Sequence, residues 1–330
     1  MSTYYVSAAS GNNVNAGTSE GAAWSTLTKA MSGVVAGDTV YVKNDGNYNE
    51  TATISIAGTT TAPISFIGYT STTGDNGQAI IDAQSSRANC IAGGVTNRIF
   101  YVFKNFILAS GTGDGVVLGT TGLSTFWKNC NFHNNAGDGF QGGQVLFEKC
   151  KFDNNSGHGL NWDRGNILCI GCRFFSNGSD GFRETNSTAG EACILLFCEF
   201  FSNNTSAISI TAANDTMTVV VGCTIDGDSK DTVTGLLVGT GSFTRNLVCV
   251  VNSIFYDCVT GINSENQGNA LISRNNLVNS NTTNYTGFQT FTGEITGAPT
   301  FNNEGTNDYR PGAGSPLKNV GFDANQLEGF

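Results

Sequence analysis

Four similar polar turns, each leading into a short strand, place an ionisable side chain directly before a glycine: Asp114-Gly115, Asp138-Gly139, His158-Gly159 and Asp180-Gly181. Such residues do chemistry together only if the fold stacks them. Carboxylates stacked at the roughly 5 Å spacing of neighbouring parallel strands repel, so one acquires a raised pKa or a cation is shared. A raised carboxyl beside an ionised one is the acid/base arrangement of glycoside hydrolysis, where their separation decides retention or inversion. Three positions on stand Val117, Gln141, Asn161 and Arg183, a neighbouring outward column, while Asp163 and Arg164 occupy an adjacent turn. The candidate catalytic groups are therefore Asp114, Asp138, His158, Asp180 and Arg183. Gln141, Asn161, Asp163 and Arg164 are the candidate substrate contacts. The plainer reading is that Asp-Gly and His-Gly only supply tight corners.

What would stack these residues is a repeat. Eight segments share the pattern apolar-x-apolar-x-x-Cys-x-Phe, with the Cys position held by Asn105, Cys130, Cys150, Cys172, Cys198, Cys223, Ser253 and Asn275. Two residues later come Ile107, Phe132, Phe152, Phe174, Phe200, Ile225, Phe255 and Leu277. Three residues earlier come Val102, Trp127, Phe147, Cys169, Leu195, Val220, Val250 and Ile272. Alternation within each segment puts every second side chain on one face, which is the mark of a strand. A polar turn follows each Phe position, then a further short strand such as Gly159-Leu160-Asn161-Trp162. Three strands and three corners per repeat follow. Leucine-rich repeats share the spacing, but Leu is sparse here and the remainder of each repeat is rich in Gly, Asn and Ser rather than helical.

On this register the thiols point inward as small hydrophobes, and Cys169-x-x-Cys172 is a core pair rather than a redox or zinc motif. Trp162 also takes an inward phase. Stacked free thiols suit a cytoplasmic or virion setting better than an oxidising one. The opening Met1-Ser2-Thr3-Tyr4 lacks the basic and apolar regions of a secretory signal. The expected location is thus a virion or extracellular surface after cytoplasmic folding, or secretion if a leader has been removed.

Charged residues make up 13% of the 330, the net charge is −10, and no run of Lys or Arg occurs. Without a basic stripe to neutralise phosphates, nucleic acid is not an expected partner. No apolar stretch approaches the roughly 18 residues that span a bilayer, so no membrane is expected either.

Trp24, Leu27, Met31 and Val34 fall at helical spacing and predict a capping helix over 24–35, with Gly37-Asp38-Thr39-Val40-Tyr41-Val42 opening the first rung. Residues 1–37 are then a cap, 38–282 the repeats, and 283–330 a segment that closes or covers them. This opening, the repeat pattern, and the closing Tyr309-Arg310-Pro311 and Gly314-Ser315-Pro316 resemble the pectate-lyase-like β-helix superfamily. The resemblance implies an all-β fold, a single right-handed parallel β-helix with a short N-terminal capping helix. Its members include lyases, glycosidases, phage tailspikes and inactive adhesins, so fold does not settle function. The series Gly113-Asp114, Gly137-Asp138, Gly157-His158-Gly159 and Arg183 looks like that of polygalacturonases, which implies Asp138 as acid and His158 and Arg183 as orienting groups. Gly139 stands where that family has a second Asp, and Thr185 where it has a Lys. A lyase would instead need Ca²⁺ on the carboxylates and an Arg164 or Arg183 base. No cofactor other than Ca²⁺ is expected.

One outward column is apolar where solvent would favour polar residues: Leu146, Leu168 and Ile170, Ile194 and Leu196, Val219 and Val221, Val251, and Leu271. The outward residues just after the Cys, including Asn131, Lys151, Arg173, Glu199 and Thr224, are polar. Such a strip predicts packing against identical chains, with a homotrimer favoured. Two functions are expected, in this order. The first is a virion-type surface protein, a tailspike-like adhesin or capsid decoration that contacts polysaccharide. The second is an enzyme, a lyase or glycoside hydrolase, acting on an acidic polysaccharide.

Overall fold

The structure, a computed structural model, describes residues 1–93, 99–119, 123–185, 190–211, 216–228, 233–239, 247–265, 270–287, 290–295, 297–303, 308–313 and 315–316. The chain forms two compact units, Met1–Asn161 and Trp162–Phe330. Both are all-β and built as a right-handed parallel β-helix with three strands per turn. In the first unit one sheet runs Thr3–Ser7, Thr39–Lys43, Ile64–Tyr69, Ile99–Lys104, Leu123–Lys128, Val145–Glu148. A second contains Phe106–Ala109, Asn131–His133 and Lys151–Asp153, and a third Val116–Val117, Phe140–Gln141 and the start of Leu160–Trp162. The second unit repeats the plan, with first-sheet strands Ile167–Ile170, Ala192–Leu196, Met217–Val221, Leu247–Val251 and Ala270–Arg274.

The inward residues are those that the alternation singled out. Trp127, Phe132, Phe147, Phe152, Phe174 and Trp162 are fully buried. In the first unit Phe103 stacks on Trp127 at 4.1 Å, and Phe132 on Phe152 at 4.7 Å. Cys130, Cys150, Cys172, Cys198 and Cys223 are buried and free. Their thiols also do a job at the bend. Cys198 Sγ donates to Leu196 O at 3.4 Å, and Ser253 Oγ, in the same column, donates to Val251 O at 3.1 Å. Each is a second donor to a carbonyl that also accepts a backbone amide from the preceding turn, Gly171 N at 2.9 Å on Leu196 O and Gly222 N at 3.1 Å on Val251 O. Burial raises the Cys169, Cys193 and Cys198 thiols well above the ordinary value, so they are held as thiols and not as reactive thiolates.

The register differs from the sequence reading at both ends. Phe103 rather than Val102 pairs with Trp127, and Leu108 rather than Ile107 with Phe132. Ser273 rather than Ile272 pairs with Val250, and Val278 rather than Leu277 with Phe255. Phe106 and Asn276 therefore hold the thiol position. The reason lies in Asn105 and Asn275, whose φ values are 63° and 54°. They take the left-handed bend position shared by Asn129, Gly171 and Asn252, which Asn tolerates better than other non-glycine residues. Leu271 moves with that shift: it pairs with Val248, is 5% exposed, and belongs to the inner face rather than the apolar outer column.

The capping helix spans Leu27–Gly33, within the expected 24–35, and buries Leu27, Ala30 and Met31. Thr26 caps it through its side chain, and the Glu50 carboxylate accepts from Leu27 N at 2.7 Å and Thr28 N at 2.9 Å. Parallel pairing reaches beyond the expected 38–282 at both ends. Thr3–Ser7 lies along Thr39–Lys43, and Thr290–Thr292 along Ala270–Arg274. Among the described residues no helix is long and apolar enough to cross a membrane.

Candidate functional site

In the first unit the turn column is real, and its carboxylates are tied to the backbone. Asp138 N donates to Asp114 Oδ1 at 2.6 Å, and His158 N donates to Asp138 Oδ1 at 2.7 Å. Each carboxylate thus accepts the amide of the equivalent residue one turn on. Asn161 Nδ2 donates to the other oxygen of Asp138 at 2.9 Å, so both oxygens of Asp138 are held. The preceding glycines follow from the same contact: a β-carbon at Gly137 would collide with the Asp114 carboxylate, and one at Gly157 with that of Asp138. His158 is 7% exposed, whereas Asp114, Asp138, Gln141 and Asn161 are half-buried. Burial first, and then the charge of Asp138, raises the Asp114 pKa, against the opposing amide of Asp138 and the charge of His158. Gln141 and Asn161 pair in register on the outer face of the third sheet, both half-buried.

Among the described residues of the second unit, Asp180 repeats the device. Asp180 is 5% exposed, and its Oδ1 accepts Ser206 N at 3.0 Å. Arg183 takes the outward position three residues on, in register with Ser209. Arg164 Nε lies 3.5 Å from Asp163 Oδ1, a half-exposed pair. Trp162 is fully buried, and its indole N–H donates to Arg164 O and Gly165 O, both at 2.8 Å, so it is no platform for a sugar. Among the described residues no group of three or more His, Cys, Asp or Glu side chains converges as metal ligands. In the first unit Asp114 Oδ1 and both Asp138 oxygens already accept N–H groups.

Sequence reasoning missed four polar features. In the first unit His133 Nδ1 lies 2.6 Å from Asp153 Oδ2 on the outer face of the second sheet. Only the strand register, His133 opposite Asp153, could reveal it, because 20 residues separate them. In the second unit Arg173 Nε bonds Glu199 Oε2 at 2.7 Å, and its guanidinium lies over the stacked Phe175 and Phe201 rings. Glu184, on the inward side of Phe182–Glu184, is fully buried. Inside the corners a ladder of buried amides runs between turns: Asn155 Nδ2 donates to Phe132 O at 3.0 Å, and Asn135 Nδ2 to Asn155 Oδ1 at 2.9 Å. The recurrent Asn-Asn and Ser-Asn steps at 134–135, 154–155, 176–177 and 202–203 were the signal for it.

With strands, corners and ladder in place, the match to known proteins is decisive for the fold. A family model described as a right-handed beta helix region matches residues 89–248 and 141–303. The chain belongs to the right-handed β-helix family. Among solved structures this β-helix is similar to the pectate lyase Pel9A, with 18% identity, 98% of this chain and 92% of that chain covered, and a TM-score of 0.63. It is also similar to XylC, solved in complex with xylose, at 10% identity, 84% and 68% coverage, and a TM-score of 0.53. At these identities the likeness is one of fold. No curated protein sequence matches the chain.

Proposed function

We propose that this β-helix is a virion-type surface protein, in the manner of a tailspike adhesin or a capsid decoration, that contacts glycan without cleaving it. The observation that carries the reading is the state of Asp138. Its two oxygens each accept a hydrogen bond, from His158 N and Asn161 Nδ2, so the residue implied as acid is tied to the next turn. A general acid must reach the leaving oxygen within about 3 Å. What the outer face of the third sheet does offer is Gln141, a half-buried neutral amide suited to sugar hydroxyls, beside Asn161. Buried free thiols support folding in a reducing compartment, as a virion component does.

Polysaccharide cleavage is the second reading, and one observation favours it: Asp114 has a raised pKa, as a proton donor requires. The two are separated by incubating the protein with a panel of acidic polysaccharides. The measurements are glycan retention, new reducing ends, and unsaturated-uronate absorbance. The adhesin reading expects retention with no new ends. Cleavage that Asp114→Asn abolishes would overturn it in favour of the enzyme.

A further inference from the structure

On the outer face of the first sheet, equivalent positions of the two units differ in kind. The last outward residues before the bend are Lys104, Lys128 and Glu148 in the first unit, with Lys128 and Glu148 ion-paired at 2.6 Å. In the second unit those positions are Ile170, Leu196, Val221 and Val251, and only the final turn restores a charge, Arg274. The neighbouring column is Leu168, Ile194, Val219, Cys249 and Ile272. A third holds Ala192, Met217, Leu247 and Ala270. Met217 is 40% exposed, Leu247 38% and Ile272 50%. In the first unit the neighbouring column, Val102, Phe126 and Leu146, is apolar too, so the difference lies in the column before the bend, where Lys104, Lys128 and Glu148 show that the fold accepts charge.

We propose that this face of the second unit packs against the same face of a second copy of the chain, about a twofold axis. Three arguments select that occupant. Each chain carries a net charge of −10, so two copies approach at least cost through a face without acidic groups. Apolar columns on strands about 4.8 Å apart match themselves, since aligned sheet faces stack about 10 Å apart with interdigitating side chains. The strip covers five strands by five residues, roughly 24 Å by 16 Å. A pair therefore buries about 800 Å² of flat face before side-chain relief, below the roughly 1,000 Å² threshold of a stable interface and in the range of a weak, reversible pair. A single flat strip is covered completely by a twofold mate, whereas about a threefold axis, as favoured on sequence, it would meet two neighbours obliquely. The inference goes beyond the glycan reading and does not depend on it.

Cys249 supplies an internal reporter, because it alone of the ten cysteines is not buried within the chain, and it sits in the middle column. The test is sedimentation of the full chain at about 10 μM, with alkylation of native thiols followed by peptide mass. The wild type is expected to sediment at twice the 34.6 kDa of one chain, with Cys249 protected. Val219→Lys sets like charges against each other across the axis. It should weaken the pair at least about a hundredfold and expose Cys249, with the far-ultraviolet signal of β-structure retained. Should Val219→Lys fail to fold, Leu247→Lys, at the more exposed edge, is read in its place. A wild-type monomer overturns the proposal whether Cys249 is reactive or covered by the chain's own ends. A trimer, or any assembly that survives the substitutions, overturns it as well.

Discussion

Phe132→Ala is expected to destabilise the chain by about 3–5 kcal/mol, the usual cost of emptying a packed aromatic site. Phe132 has no exposed surface and is the hub of the first unit's core. Its ring stacks on Phe152 at 4.7 Å and meets Trp127, Phe140 and Phe147 edge-on at 5.4, 5.5 and 5.9 Å. These partners come from all three sheets of two consecutive turns, so the cavity cannot close by a shift of one strand. Ring pairs of this kind add about 0.5–1.5 kcal/mol beyond area burial, and Phe132 makes four of them. Phe132→Leu retains most of the volume and should recover a large part of the loss. Urea midpoints of the two variants against the wild type measure both effects.

The second large effect depends on pH. Glu184 is fully buried, and neither carboxylate oxygen makes a hydrogen bond of good geometry among the described residues. Its pKa is pushed up from 4.5 to about 7, chiefly by burial and then by the charge of Glu191, while the Thr216 and Thr218 hydroxyls draw it back in part. Glu184 in turn helps to raise the buried Cys193 thiol. Below the unfolded pKa the group is protonated in both states and contributes no pH dependence. Between about 4.5 and 7 the folded chain retains a proton that the unfolded chain has released, so stability falls as pH rises. Above about 7 the loss is complete, at about 3 kcal/mol for a shift of this size. Glu184→Gln removes this slope. The variant should gain about 3 kcal/mol relative to wild type on going from pH 4.5 to pH 8, read as the difference in unfolding free energy at each pH. A wild type with the same pH slope as the variant over that range would show that Glu184 does not carry the proton.

The repeat was legible because its signals are local. Alternation and the Cys and Phe columns set strands and inward faces for the central turns without knowledge of any distance. The end turns misled, because Asn105 and Asn275 were read as stand-ins for Cys when their backbone role at the bend is stronger. The same slip put Leu271 outside. In the first unit Asp114, Asp138 and His158 do follow one another along the turns, yet what they bond was hidden. Whether Asp138 presents an oxygen outward depends on how close the His158 amide comes, and that distance is set by stacking, not by the residues in the motif. His133 with Asp153 and the solitary Glu184 carry no motif at all; they become visible only when the register is known.

In the function proposed above, the turn carboxylates serve to join one turn to the next. Equilibrium unfolding of Asp138→Ala tests this claim most directly. Without that side chain, the His158 amide and the Asn161 side-chain amide lose their acceptor, and a stability loss of about 1–3 kcal/mol is predicted. An unchanged unfolding midpoint would contradict the claim, because a carboxylate kept for catalysis can be removed without weakening the fold.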